Sequence, residues 1–376
     1  MSSQRSSVRA LIERIPKAEL HLHLGGAIPP HVLIELLDTH RPTQWLGDIP
    51  ERHQRLFRET PNIRPFLSME RPGASELASL FVYASFHQFL ATFLFTSYLI
   101  RQVDDLRCLI AGVAESLHAQ GIVYAEITVD IMGYVRRGLC LEQVGACLAE
   151  GAARDDVCIR WIVDPVRDFG PEGTLAHLRQ VLDLRCPGLV GMTIGGSEHL
   201  FPPRQFGPLY DLAREHGLRL TVHAGEALGP ESVWDALRCL RPHRIGHGVR
   251  SVEDPALMAH LAEARVPLEV CPTSNLRTAV YASYAEHPLP QLYRAGVPIS
   301  LSTDDPTFFE TTLAEEYLHA YDMGLGLDDL FVLARNAYAH AFMPEDEKAR
   351  YIAALEREWR QAGSPAPPLT LPFGGA

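Results

Sequence analysis

Between about Lys17 and Pro306, eight short β-rich runs alternate with longer helical stretches: AELHLHL, IVYAEITVD, CIRWIVDP, LVGMTIGG, LRLTVHAGE, RIGHGV, PLEVCP and PISLSTDDP. Each run is mostly apolar and ends in polar or glycine-rich residues, as expected of a strand buried on both faces by crossover helices that emerges at one rim. Eight strand–helix units point to a closed parallel barrel, so the expected fold is α/β, a (β/α)8 TIM barrel. By length, 376 residues allow two or three domains, but a barrel with insertions reaches that size, and one barrel domain over 1–376 is expected. Helix punctuation agrees. Asp104 and Asp105 open an amphipathic run through Ala119 that stops at Gly121, and Pro208 to His216 is closed by Gly217.

The first connection breaks the rhythm. A helical insertion over 29–100 follows strand one, far longer than an ordinary strand-to-helix loop, and long loops in barrels sit at the catalytic end. Within it, residues 77–100 hold no Asp, Glu, Lys or Arg but carry Phe81, Phe86, Phe89, Phe93 and Phe95. That is long enough to cross a bilayer, yet seven Ser, Thr, His and Gln side chains interrupt it, so a soluble helical hairpin is expected. It would serve either as an apolar lid over the site or as a core helix. Residues 1–7 and 363–376 read as flexible tails.

Composition narrows the partners. Lys+Arg 34 against Asp+Glu 46 leaves a net charge of −12, which repels phosphate backbones and anionic lipid, so neither nucleic acid nor membrane is an expected partner. The seven cysteines are odd in number and nowhere form C-x-x-C, which fits neither a disulfide framework nor a thiolate zinc site and suits a reducing compartment. With no apolar core of a secretory signal at the N-terminus, a cytoplasmic location is expected. The oligomeric state stays open.

Barrel enzymes gather their chemistry at the C-terminal ends of the strands. Here run one ends in His21 and His23, run five in His223 followed by Glu226, run six carries His247, and run eight ends in Asp304 and Asp305. Side chains alternate along a strand, so His21 and His23 point to the same side, toward one metal. Imidazole and carboxylate donors together suit Zn²⁺ with a position left open for water. Adjacent Asp304 and Asp305 would point opposite ways on an ideal strand, so for both to reach the pocket the chain must turn there, as Pro306 suggests.

Four of these stretches, PKAELHLHLGGA, TVHAGE, RIGHGV and SLSTDDP, occur in the order and on the strands that resemble the adenosine deaminase family of the amidohydrolase superfamily. The resemblance implies that His21, His23, His223 and Asp304 ligate one Zn²⁺ per chain. It implies that Glu226 protonates the purine N1, that His247 orients and deprotonates the attacking water, that Asp305 bonds the N7 side and that the backbone N–H of Gly196 meets N3. The implied reaction is hydrolytic deamination of a 6-aminopurine nucleoside, adenosine to inosine and ammonia, with zinc-activated water attacking C6. Zinc makes that possible at neutral pH by lowering the pKa of water from 15.7 to about 7. A metal phosphoesterase would instead want a second metal, and Gly195 and Gly196 stand at the end of run four where a bridging ligand would be.

The sequence departs from the family at Gly25. Adenosine deaminases usually carry there an aspartate that binds the ribose 5′-hydroxyl, and adenine deaminases usually carry Glu. With Gly25 and His23 still flanking that side of the substrate site, the glycine either satisfies a backbone need or leaves room for a different glycone. The alternatives are 6-amino-6-deoxyfutalosine, a menaquinone precursor with a benzoate-bearing 5′ extension, and adenine.

Overall fold

The computed structural model describes residues 2–69 and 72–362, the side chains of Ser2, Ser3, Ala74 and Phe86 aside. The eight runs become nine parallel strands: β1 Lys17–His23, β2 Ile122–Val129, β3 Cys158–Val163, β4 Leu189–Met192, β5 Arg219–Leu220, β6 His223–Ala224, β7 Ile245–His247, β8 Leu268–Val270 and β9 Ile299–Leu301. They pair in the orders β1-β2-β3-β4-β5 and β6-β7-β8-β9. The fifth run is divided at Thr221 and Val222, yet hydrogen bonds cross the gap. Thr221 N–H donates to Met192 O (2.9 Å), and Gly246 N–H donates to Val222 O (2.8 Å). At the other seam Asp304 N–H donates to His21 O (3.0 Å) and His23 N–H to Asp304 O (2.9 Å). The ring closes, and the expected (β/α)8 barrel is the fold; closure leaves no strand edge open.

The barrel interior holds a buried charge network among its apolar layers. Arg244, on the approach to β7, is 1% exposed and donates through Nε to Glu269 on β8 (2.5 Å) and through its guanidinium to Glu126 on β2. Glu126 also accepts from Tyr124 Oη (2.8 Å), and the guanidinium lies 3.6 Å from the Phe342 ring centroid. Burial alone would raise the pKa of Glu269, but Arg244 and His21 outweigh it and hold the carboxylate down, at about 2. An ionised Glu269 thus reaches up the barrel to the first histidine.

Residues 24–121 carry the long connection, with helices Pro30–Thr39, Pro42–Trp45, Glu51–Glu59, Ala74–Leu80 and Phe86–Ser97 before the barrel helix Val103–Ala119. Among the described residues no helix is long and apolar enough to cross a membrane. Helix Phe86–Ser97 begins at Ser85, whose side chain accepts from Gln88 N, and its Thr92 hydroxyl accepts from Asn62 Nδ2 (2.9 Å). Phe95 is fully buried against Phe57 (ring centroids 5.5 Å apart), while Phe89 stacks on Phe309 (5.1 Å), beyond the C-terminal end of β9. One face of this helix is therefore core and another reaches the barrel mouth.

The tail expected over 1–7 is corrected: helix Ser2–Arg14 starts almost at the chain's beginning. Its Val8, Leu11 and Ile12 are buried, and Arg5 and Arg9 pair with Asp322 (3.0 Å) and Glu315 (2.7 Å), so apolar docking and ion pairs fix a segment whose polar composition suggested none. The other expected tail, 363–376, lies outside the described residues. The expected helix stops hold, Gly217 taking φ +74° after helix Gly207–Glu215.

The Arg244 network gives a stability test. Arg244→Met leaves two buried carboxylates without their cation and should lower the unfolding free energy by about 3–5 kcal/mol in a denaturant titration. A loss below about 1 kcal/mol, the range of an exposed pair, would show that the carboxylates are not held as described.

Candidate active site

His21 Nδ1 is held by Glu269 Oε2 at 2.8 Å, which leaves its buried Nε2 without a hydrogen-bond partner and facing Asp304 Oδ1 at 3.5 Å. His23 Nε2 lies 3.2 Å from both His223 Nε2 and Asp304 Oδ1. His223 is oriented from behind, its Nδ1 3.2 Å from Thr193 Oγ1, and Asp304 Oδ2 accepts from Ser274 Oγ at 2.6 Å. One ligand atom each from His21, His223, His247 and Asp304 falls within 4.8 Å of the others. His23, part of the expected quartet, is not in that group of four, where His247 stands instead, but its Nε2 lies beside it at 3.2 Å from His223 and Asp304. The free ring nitrogens of His21 and His223 and an oxygen of Asp304, each of these residues anchored through its other atom, make a donor set that a divalent cation fits.

The backbone is bent to achieve this. His247 and Asp304 have φ of +60° and +65°, the left-handed region that costs a side-chain-bearing residue on the order of 1–3 kcal/mol. The turn at Asp304 is the one the Asp-Asp-Pro sequence required, and it leaves Asp304 and Asp305 both buried. Gly246 is equally constrained, because a Cβ there would stand 2.7 Å from His21 Cε1.

Glu226 follows β6 and places Oε2 3.6 Å from His247 Nε2. Burial, reinforced by Asp304 and Glu198, pushes its carboxyl up to about 8. The loop that carries it is gripped by Glu198, which accepts from the N–H groups of Gly225 (2.7 Å), Ala227 (2.8 Å) and Leu228 (2.9 Å) and from Ser232 Oγ (2.5 Å). Asp305 is raised to about 8 by burial and by Asp304, and its Oδ1 is buried without a hydrogen-bond partner. That oxygen lies against Gly26, where a Cβ would stand only 1.7 Å away. Gly196 takes φ +104° beside Asp168, so its backbone conformation also demands glycine.

At Gly25 the expected vacant room is not there. A Cβ at this position would meet Phe93 Cζ at 3.1 Å, because helix Phe86–Ser97 lays that ring against the glycine. An aromatic edge occupies the place of the family's carboxylate. Phe93 belongs to a cluster with Phe308 (5.5 Å) and Phe89 (6.3 Å), which continues the wall toward Asp305.

The adenosine deaminase family model matches residues 72–357. The chain belongs to the adenosine deaminase family. Within that family it is similar to the aminodeoxyfutalosine deaminase of Streptomyces avermitilis, 37% identical over 357 residues that cover 93% of this chain and 92% of the relative. An adenine deaminase from Agrobacterium fabrum is 34% identical, covering 90% and 97%. Among solved structures, an amidohydrolase from Burkhoderia ambifaria with bound Zn superposes with a TM-score of 0.76 at 25% identity, covering 95% of this chain and 94% of that one. As an adenosine deaminase family member the chain is a metal-dependent aminohydrolase acting on an aminopurine.

Several residues of this family site escaped the sequence reading. Asp164, at the end of β3, is buried beside the site and accepts from Gly195 N–H (3.1 Å); it ends run three, so the strand-end rule would have found it. Glu198 lies in the loop after β4, and Ser274 and Asn275 in the short helix Pro272–Arg277, where only the folded partners reveal them. Gly26 supplies the test. Gly26→Ala must displace the Asp305 carboxyl, and kcat/KM for the aminopurine should fall about 10- to 10²-fold, the loss of one hydrogen bond to an ionisable group, with an unchanged circular dichroism spectrum. Unaltered kinetics would remove Asp305 from the substrate site.

Proposed function

We propose that this chain is a zinc-dependent deaminase of a 6-aminopurine nucleoside extended at its 5′ position, with 6-amino-6-deoxyfutalosine as substrate. His21, His23, His223 and Asp304 would hold one zinc per chain, a reading supported by the 3.2 Å contacts of His23 with His223 and Asp304, by their borderline N/O donors and by the zinc-bound amidohydrolase of similar fold. Bound there, zinc supplies a water that is nucleophilic at neutral pH. Glu226, whose carboxyl is raised by burial, would give its proton to N1 as C6 becomes tetrahedral, worth ~10²–10⁴-fold. Purine N7 offers only a lone pair, so its partner must be a donor; Asp305, raised by burial and by Asp304, holds the proton that role needs. The Gly196 N–H meets N3, and His247 orients the water. Water replaces the amino group, and ammonia leaves.

Gly25 backed by Phe93 carries the choice of glycone. An adenosine enzyme wants a carboxylate there for the 5′-hydroxyl, and an adenine enzyme wants a glutamate; this chain offers neither. It presents the partly exposed Phe93 ring, backed by the buried Phe89 and Phe308, which suits a ring-bearing 5′ substituent through an edge or face contact worth about 0.5–1.5 kcal/mol. The similarity to an aminodeoxyfutalosine deaminase over 93% of the chain supports the same choice above the adenosine reading.

Loss of the adenine absorbance band, followed with 6-amino-6-deoxyfutalosine, adenosine, 5′-deoxyadenosine, AMP and adenine, tests the proposal. The extended nucleoside should have the highest kcat/KM, with adenosine and 5′-deoxyadenosine alike. A preference for adenosine over 5′-deoxyadenosine of ~10²-fold, the worth of a hydrogen bond to a charged group, would restore plain adenosine deamination, and adenine as the best substrate would make the chain an adenine deaminase.

A further inference from the structure

His247 sits on a hydrogen-bond chain that none of the chemistry above uses. Asn275, in helix Pro272–Arg277, has its Nδ2 3.2 Å from His247 Nδ1, and its Oδ1 3.2 Å from Nε2 of His287. All three residues are buried. An asparagine amide between two imidazoles admits two orientations, each implying opposite tautomers, so this pair of contacts alone decides nothing. The far end of the chain decides it. The backbone N–H of Leu289 donates to His287 Nδ1 at 3.2 Å, and a backbone amide can only donate.

The polarity then runs one way. His287 Nδ1 accepts and must be unprotonated, so His287 carries its proton on Nε2 and donates it to Asn275 Oδ1. That fixes the asparagine with its NH₂ toward His247, whose Nδ1 accepts. Neutral His247 therefore carries its proton on Nε2, the nitrogen that faces Glu226 Oε2 at 3.6 Å and Asp304 Oδ2 at 3.9 Å.

We infer that Asn275 and His287 are positioning residues that lock His247 as the Nε2–H tautomer, so that it meets the attacking water as a hydrogen-bond donor and not as a base. Of the two tasks that family resemblance gives His247, it keeps the orienting one. The proton that leaves the water goes to another acceptor, and Glu226, a carboxylate once it has protonated N1, faces the same pocket. The role in catalysis rests on the proposed deamination, but the tautomer itself does not.

Nitrogen-15 spectra of the zinc-loaded protein labelled in its histidines, with the His247 resonances assigned by their absence in His247→Gln, read the tautomer without substrate. The expected result is a pyridine-type Nδ1 and a pyrrole-type Nε2 for His247. Asn275→Asp replaces the donor by an acceptor and should move the proton to Nδ1, with kcat reduced about 10- to 100-fold and KM little changed. His287→Gln, which keeps an N–H donor toward Asn275, should retain the wild-type tautomer and most of kcat, whereas His287→Leu should not. A wild-type His247 protonated on Nδ1 overturns the lock, as does an Asn275→Asp protein with the original tautomer. Should the tautomer be as inferred and no purine be deaminated, the lock stands and the proposed activity falls.

Discussion

The nearest ring nitrogens of His23 and His223 lie 3.2 Å apart, with a carboxylate oxygen of Asp304 at the same distance from His23 and an unpartnered His21 nitrogen beside them. Such a cluster of lone pairs, taken out of water, is unfavourable unless positive charge sits among it. The rest of the barrel mouth is arranged to keep that cluster in place. Glu269 fixes the His21 ring and is itself fixed by Arg244, which also bonds Glu126; Thr193 fixes His223; Ser274 fixes Asp304. His247 and Asp304 accept left-handed backbone to point inward, and Gly246 stays bare so that His21 fits. Strain at these positions and rigidity behind them are two sides of one preorganised site.

The substrate side follows a different logic. Where the His/Asp cluster is polar and anchored from the barrel floor, the side at Gly25 is apolar and comes from the long connection between β1 and β2. Phe93 arrives at Gly25 only because helix Phe86–Ser97 is pinned by its own buried face, Phe95 against Phe57 and Trp45. The same helix is thus core at one face and packed against Gly25 at the other. On the proposed reading, glycone choice would be set by an insertion packed over the barrel, and the purine contacts by the barrel itself.

What was legible in the sequence divides along the same line. The strands could be read because burial on both faces leaves continuous apolar runs, and the metal cluster because strand ends in a barrel all open on one rim. The division of run five into β5 and β6 left no mark in LRLTVHAGE, since it depends on which neighbour each amide finds. Helix Ser2–Arg14 was missed because its polar composition hides a buried stripe of Val8, Leu11 and Ile12. Gly25 was seen as a departure, but its neighbour lies 68 positions away in the chain, and no local pattern connects Phe93 to it. Asn275 and His287 act through a backbone amide, a partner that carries no side-chain signature at all.

The central claim is that the imidazole–carboxylate cluster is a functional metal centre. It is tested most directly by removing metal with a chelator at neutral pH, measuring residual zinc by mass spectrometry together with deaminase turnover, and then adding zinc back stepwise. The account predicts that turnover falls with metal content and returns in full at about one zinc per chain, and that His23→Ala neither retains zinc nor recovers. Full turnover in the metal-free protein, or a His23→Ala protein that binds zinc and works as the wild type does, would contradict it.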